Sequence, residues 1–223
     1  MIYELDDFEL KISKNLKIFA RPWSSLDERK FLSQHLENST KMDGIFRILM
    51  LPNLEFKPMT IPEFQVLFLE MRKLSVGADI SLNVTCECGQ FLEFDKNLDE
   101  LIHFIEPDFS TPTIDSNGVI VKLRRIPTAE LFKKILAQDN EEDKIYYEFL
   151  ASIESVTYKN KETRHFTFDE LLEFFNTAPS KVTNELLKKF FKIRGYLSLW
   201  CETTCPVCQR QFNTTFKDIV DFL

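Results

Sequence analysis

The sequence predicts an α+β protein made of two similar strand-helix-helix-strand-hairpin halves. They form a pseudo-twofold internal repeat joined by a shared four-cysteine, zinc-ribbon-like site. Three observations carry this. A helix-start signal occurs three times. A strand-proline-helix pattern occurs twice, in the same order. Two cysteine clusters, "TCECGQ" (Thr85–Gln90) and "CPVC" (Cys205–Cys208), close similar strands far apart in the chain.

The helix starts are "SLDE" (Ser25–Glu28), "TIPE" (Thr60–Glu63) and "TFDE" (Thr167–Glu170), each a Ser/Thr-x-x-Glu. In that pattern the hydroxyl caps a free amide of the first turn, and the Glu reaches back to the amide of the cap residue. Apolar residues at helical spacing follow each one. In the second, Pro62 falls in the first turn, where a missing N–H costs nothing.

The repeat runs through the whole chain. "LKIFARPWSSLDERKFL" (Leu16–Leu32) and "VIVKLRRIPTAELFKKIL" (Val119–Leu136) both read strand, proline, helix. Pro22 and Pro127 align at an offset of 105 (127 − 22), and the capping residues Thr60 and Thr167 at 107 (167 − 60). Cys86 and Cys205 align at 119 (205 − 86), and the growth in offset predicts an extra helix over "SKVTNELLKKFFKI" (Ser180–Ile193). Each half then reads strand, helix, helix, strand, cysteine turn, strand, short helix. The expected division is residues 1–104, a joint at 105–118 rich in turn-forming residues, and residues 119–223. "AQDNEEDK" (Ala137–Lys144) is expected as a polar turn between helices.

The cysteines point to a metal. Two residues between Cys205 and Cys208 let a tight turn aim both sulfurs at one point. One residue between Cys86 and Cys88 puts both sulfurs on the same face of an extended strand, and Gly89 permits a turn at positive φ. Cys-x-x-Cys alone would also fit thiol redox chemistry. The second pair favours one structural zinc held by Cys86, Cys88, Cys205 and Cys208, a clamp between the halves. Cys201, four residues before Cys205, lies a strand length of ~13 Å away and is expected in the core. His35, His103 and His165 are not spaced to any cysteine as ligands would be.

Composition narrows the function. The 223 residues suffice for a real core, and 22 phenylalanines make it aromatic. Five glycines leave little for a phosphate-binding loop. A net charge of −7 argues against nucleic acid or an anionic membrane as main partner. The densest positive stretch, "LLKKFFKIR" (Leu186–Arg194), is expected to be a solvated helix face. The opening "MIYELDDFEL" is acidic where a signal peptide would be basic, and no apolar run approaches the ~20 residues of a membrane helix. A protein of reducing cytoplasm is expected, and there cysteine pairs serve as metal ligands. No catalytic motif is recognisable, and Glu87 should point away from the sulfurs, so no enzyme is expected.

The stretches "FARPWSSLDERKFL", "EFQVLFLEMRKLSVGADISLNVTCECGQFLEFDKNLDEL" and "GVIVKLRRIPTAELFKKI", together with the C-terminal "CPVC", resemble the T-even-type phage baseplate hub assembly chaperone family. The family pattern would have Cys-x-x-Cys where this chain has Cys86 and Cys88. The resemblance implies a non-enzymatic late protein of tail assembly. It would act in the cytoplasm of the infected host and have baseplate hub proteins as partners. Three further readings stay open: a permanent component of the virion baseplate, self-association, and a zinc-ribbon regulator that binds nucleic acid or polymerase. "FIEPDF" (Phe104–Phe109) is a candidate partner surface, with packing back onto the core as its alternative.

Overall fold

The computed structural model describes residues 8–24, 26, 56–138 and 140–216. The helix expected after Ser25–Glu28, His35 and the tail from Lys217 on lie outside these residues. β1 (Phe8–Ser13) and β2 (Leu16–Ala20) form a hairpin. Leu10, Ile12, Leu16 and Ile18 face the core while Lys11, Lys17 and Phe19 face out, the period of two that strands impose. α1 (Ile61–Val76) begins at Thr60. The Thr60 hydroxyl accepts from the Glu63 amide and the Glu63 carboxylate accepts from the Thr60 amide, the reciprocal pair read from sequence. Phe64, Leu67, Phe68, Leu69 and Met71 are all buried, so this helix is central rather than one-sided.

β3 (Asp79–Thr85) and β4 (Phe91–Asn97) form the first cysteine hairpin, and α2 (Leu98–Leu101) leads directly into β5 (Ile102–Ile105). β6 (Thr113–Ser116), β7 (Val119–Leu123), β8 (Ile153–Tyr158) and β9 (Lys161–Thr163) make an antiparallel sheet in that order. α3 (Ala129–Leu136) and α4 (Glu141–Ala151) connect β7 to β8. α5 (Phe168–Thr177) starts at a second complete capping box, Thr167 with Glu170. α6 (Ser180–Ile193) has the boundaries expected from the sequence. β10 (Tyr196–Thr204) and β11 (Gln211–Phe216) form the second cysteine hairpin, and β10 also pairs with β5. Among the described residues no helix is long and apolar enough to cross a membrane.

The chain departs from the expected pattern where turns add strands. Asn117 and Gly118, both at positive φ, turn β6 back on β7, so strand occupies part of 105–118. Lys159 and Asn160, also at positive φ, do the same between β8 and β9. The polar turn expected over Ala137–Lys144 is shorter than that: α4 already begins at Glu141, with the Asn140 side chain capping it, because three acids favour a helix's first turn.

Two buried clusters hold the elements together. The first joins Leu10, Phe64 and Phe68 to Ile126, Phe132 and Leu199, so it draws on both sides of 105–118. The second holds Val121, Phe149, Phe175, Leu186 and Phe190. Ring pairs such as Phe64–Phe132 at 5.1 Å and Phe149–Phe190 at 5.5 Å show where the phenylalanine excess went.

Two carboxylates are buried with them, at the start of α1. Glu63, 0% exposed, accepts from Arg125 through both oxygens, at 2.9 to 3.2 Å, and from Ser13 Oγ at 2.6 Å. Glu148, 1% exposed, accepts from the Ile61 amide at 3.0 Å and pairs with Arg194. Burial pushes the Glu148 carboxyl above its ordinary range, against the pull of Arg194 and the Ile61 amide.

Gly195 forms the corner between α6 and β10. At φ +72 it is left-handed, and a Cβ there would stand 2.4 Å from the Ile105 carbonyl oxygen and 2.8 Å from the Pro107 nitrogen. Both obstacles are backbone, so neither can swing aside. Gly195→Ala is therefore expected to destabilise the protein by about 2–4 kcal/mol in chemical denaturation. An unchanged midpoint would contradict the close approach.

Candidate metal centre

Each cysteine hairpin narrows to a tight turn at its tip. In the first, the Cys86 amide donates to the Gln90 carbonyl at 2.9 Å and the Gly89 amide to the Cys86 carbonyl at 2.8 Å. In the second, the Cys205 amide donates to the Arg210 carbonyl at 3.0 Å and the Gln209 amide to the Cys205 carbonyl at 2.9 Å. The residue after the second cysteine is left-handed in both, Gly89 at φ +86 and Gln209 at φ +58. The first turn closes with one residue fewer, so a Cys-x-Cys can present its sulfurs as a Cys-x-x-Cys does.

The two tips meet. Cys86 Sγ lies 3.7 Å from Cys208 Sγ, and Cys88 Sγ 3.7 Å from Cys205 Sγ. All four sulfurs fall within 4.8 Å of one another. Sulfurs at tetrahedral corners about 2.3 Å from a zinc would be about 3.8 Å apart, so the set has the size of a metal site. Cys86 and Cys205 are buried over Leu92, with Phe94 and Phe212 packed beside them, while Cys88 and Cys208 are exposed. The cluster thus has an apolar floor and one open side, and its four thiols could hold a metal ion.

The thiols do not share one environment. The Cys208 amide, helped by the Val207 amide, outweighs burial and draws the Cys205 thiol down to about 7. At Cys86 the Cys88 amide pulls the same way. Burial and the neighbouring thiols of Cys88, Cys208 and Cys205 overcome it and push the group up to about 12. The turn amides are thus aimed at the Cys205 sulfur. Across the two tips Glu87 pairs with Arg210, both largely exposed, and such a pair adds little to stability.

Cys201 lies outside the cluster. It is buried in the first core beside Leu199, with its thiol 3.7 Å from the Thr203 hydroxyl. His103 stacks on Trp200 at 4.3 Å between ring centroids, and His165 lines a groove with Tyr158 and Phe174. Among the described residues the metal-sized group contains the four cysteines and no histidine or carboxylate. "FIEPDF" is mostly packed: Phe104 against the first core, and Phe109 against the second under the Arg125 guanidinium. Ile105 is left exposed. The sequence reading did not find the buried partners Glu63–Arg125 and Glu148–Arg194. Glu63 was visible only as the last residue of a capping box.

A family model described as T4 bacteriophage base plate protein matches residues 5–223, a span that takes in both cysteine hairpins. No curated protein and no solved structure matches the chain.

Gln209 occupies a backbone conformation that suits glycine, and its first-hairpin counterpart is a glycine. Gln209→Gly is expected to raise stability by about 1 kcal/mol, read from the denaturation midpoint. A loss of stability would mean that the Gln209 side chain, which donates to the Pro206 carbonyl at 2.9 Å, matters more than the strain.

Proposed function

The chain belongs to the T4 bacteriophage base plate protein family, and from that membership we propose that it is a non-enzymatic assembly chaperone of the baseplate hub. In this reading it binds hub proteins while a contractile tail is built, in the cytoplasm of the infected host. The observation that carries the reading is the family match over residues 5–223. The four-thiol cluster supports a structural role. With all four corners supplied by the chain, a bound ion would keep no open position for a substrate.

The ion proposed is zinc, on Cys86, Cys88, Cys205 and Cys208. Four thiols at this spacing suit a soft, tetrahedral divalent ion. It would fasten the hairpin of residues 1–104 to that of residues 119–223, with 105–118 as the joint. These halves are proposed to descend from a duplication. Both carry a capping-box helix ahead of a cysteine hairpin, and both hairpins end in a left-handed residue after the second cysteine.

One zinc per chain is expected by elemental analysis. Cys86→Ser and Cys205→Ser should lose the ion and several kcal/mol of stability, because removing one ligand opens a closed site. Cys201→Ser should keep it. Two ions per chain, or none, would remove the clamp. For the role, mass spectrometry of purified virions and of assembly intermediates decides. A chaperone is expected with hub proteins in intermediates and missing from finished particles. Stoichiometric presence in virions would make it a permanent baseplate component instead.

A further inference from the structure

The sequence stretch "LLKKFFKIR" lies in α6 and its C-terminal turn, and its outward face is not uniformly polar. Lys188, Phe191 and Lys192 share that face at i, i+3 and i+4, and all three are exposed. Phe191 is 43% exposed, with the Arg194 guanidinium 4.8 Å from its ring centroid. Beyond the Gly195 corner Tyr196 is 48% exposed, and its cross-strand neighbour Ile105 52% exposed. These pieces are adjacent in space. The Asp108 amide donates to the Ile193 carbonyl at 2.8 Å, and Gly195 sits against the Ile105 carbonyl. Arg194, over the Phe191 ring, also lines a groove with Tyr196, so exposed apolar side chains follow one another from the end of α6 to the β5 edge, with Lys188 and Lys192 on the helix side.

Lys189, on the flank, pairs with Asp115, and Arg194 pairs with Glu148. Lys188 and Lys192 have no ion pair among the described residues. Along the joint Glu106 accepts from the Lys14 amide at 3.0 Å, and Asp108 is turned to the Ser110 amide at 2.9 Å. In a chain of net charge −7 this face keeps unpaired positive charge beside three large exposed apolar side chains. Apolar groups bordered by uncommitted cations suit a segment with apolar anchors and flanking carboxylates.

We propose that Lys188, Phe191, Lys192, Tyr196 and Ile105 form a docking strip for an acidic segment of another phage protein, anchored by one or two large apolar side chains. This rests on the reading of the chain as a binding protein of baseplate assembly. It names the surface and the chemistry of the partner. The apolar anchors cover Phe191, Tyr196 and Ile105, and the carboxylates meet Lys188 and Lys192.

The test is fluorescence anisotropy of the full chain with a fluorescein-labelled peptide of sequence Glu-Asp-Leu-Phe-Glu-Asp-Leu-Glu. The wild type is expected to bind it, and to lose about tenfold in affinity for the Lys188→Glu, Lys192→Glu double variant. Phe191→Ala should weaken binding comparably, and Lys181→Glu, at the far end of α6, should leave it unchanged. A peptide with serine in place of leucine and phenylalanine should bind poorly. No binding, or binding indifferent to the strip variants, would overturn the proposal. So would tighter binding to a single-stranded oligonucleotide. Self-association of the wild type that the double variant abolishes would also overturn it, by giving the strip to a second copy. Co-purification with hub proteins is measured separately on the same variants. Its survival in the double variant would put the partner surface elsewhere and leave the assembly role standing, whereas its absence from wild type would remove the role itself.

Discussion

The rest of the structure hangs on the start of α1, where two carboxylates are taken out of water side by side. A buried carboxylate is tolerable only when its oxygens are matched by donors, and losing one partner leaves an uncompensated charge. Glu63 needs Thr60, Ser13 and Arg125; Glu148 needs the Ile61 amide and Arg194. Those donors come from β1, from the loop after β7 and from the end of α6. Satisfying two side chains therefore fixes three distant segments against one helix end. The helix gains as well, because Glu148 supplies an acceptor and a negative charge where its first amides point. Apolar packing around Phe64 and Phe132 would tolerate some sliding. The paired carboxylates fix the register.

From that node the chain brings its cysteines together. Arg194 is followed by Gly195, whose close fit against Ile105 sets β10 beside β5. β5 is reached from the first cysteine hairpin through the four residues of α2, and β10 runs straight into the second. One strand pairing thus carries both hairpin tips to the same place, although Cys88 and Cys205 are 117 positions apart. Most of the entropy of closing that long loop is already met by the sheet. An ion at the four sulfurs would close the last few ångströms of the assembly. This is why its loss should loosen the molecule without erasing the fold around α1.

Much of this was legible in the sequence, for physical reasons that also mark where legibility ends. Thr60 with Glu63 and Thr167 with Glu170 could be read because a capping box is decided by residues three apart. α6 could be read from its apolar spacing. The meeting of the four cysteines could be read because two closely spaced thiol pairs suit one tetrahedral cluster. β6 was missed although "SNG" carries a hairpin turn, because its short strand lies among prolines and polar residues. β9 is three residues long and fully exposed, with no alternation to detect. The partners of Glu63 and Glu148 could not be read at all. A single chain records which residues are charged, and the pairing of Glu63 with Arg125 is settled by tertiary packing. Gln209 was unreadable for the opposite reason, since it adopts a glycine conformation without being glycine.

The same economy separates what this chain keeps inside from what it offers outside. Its buried charged groups are spent on its own construction: Glu63 faces Arg125, and Glu148 faces Arg194. The thiols face one another too, with Phe94 and Phe212 packed around their buried members. Large apolar side chains remain at the surface in several places, among them Phe19, Phe91 and Val207, and at the α6 corner Phe191, Tyr196 and Ile105. Of these, Tyr196 and Ile105 flank the close approach of backbone at Gly195. A surface fixed in advance loses little conformational entropy on binding, so modest contacts suffice for recognition. The backbone geometry at that corner, with β10 set beside β5, also holds the two cysteine hairpins together.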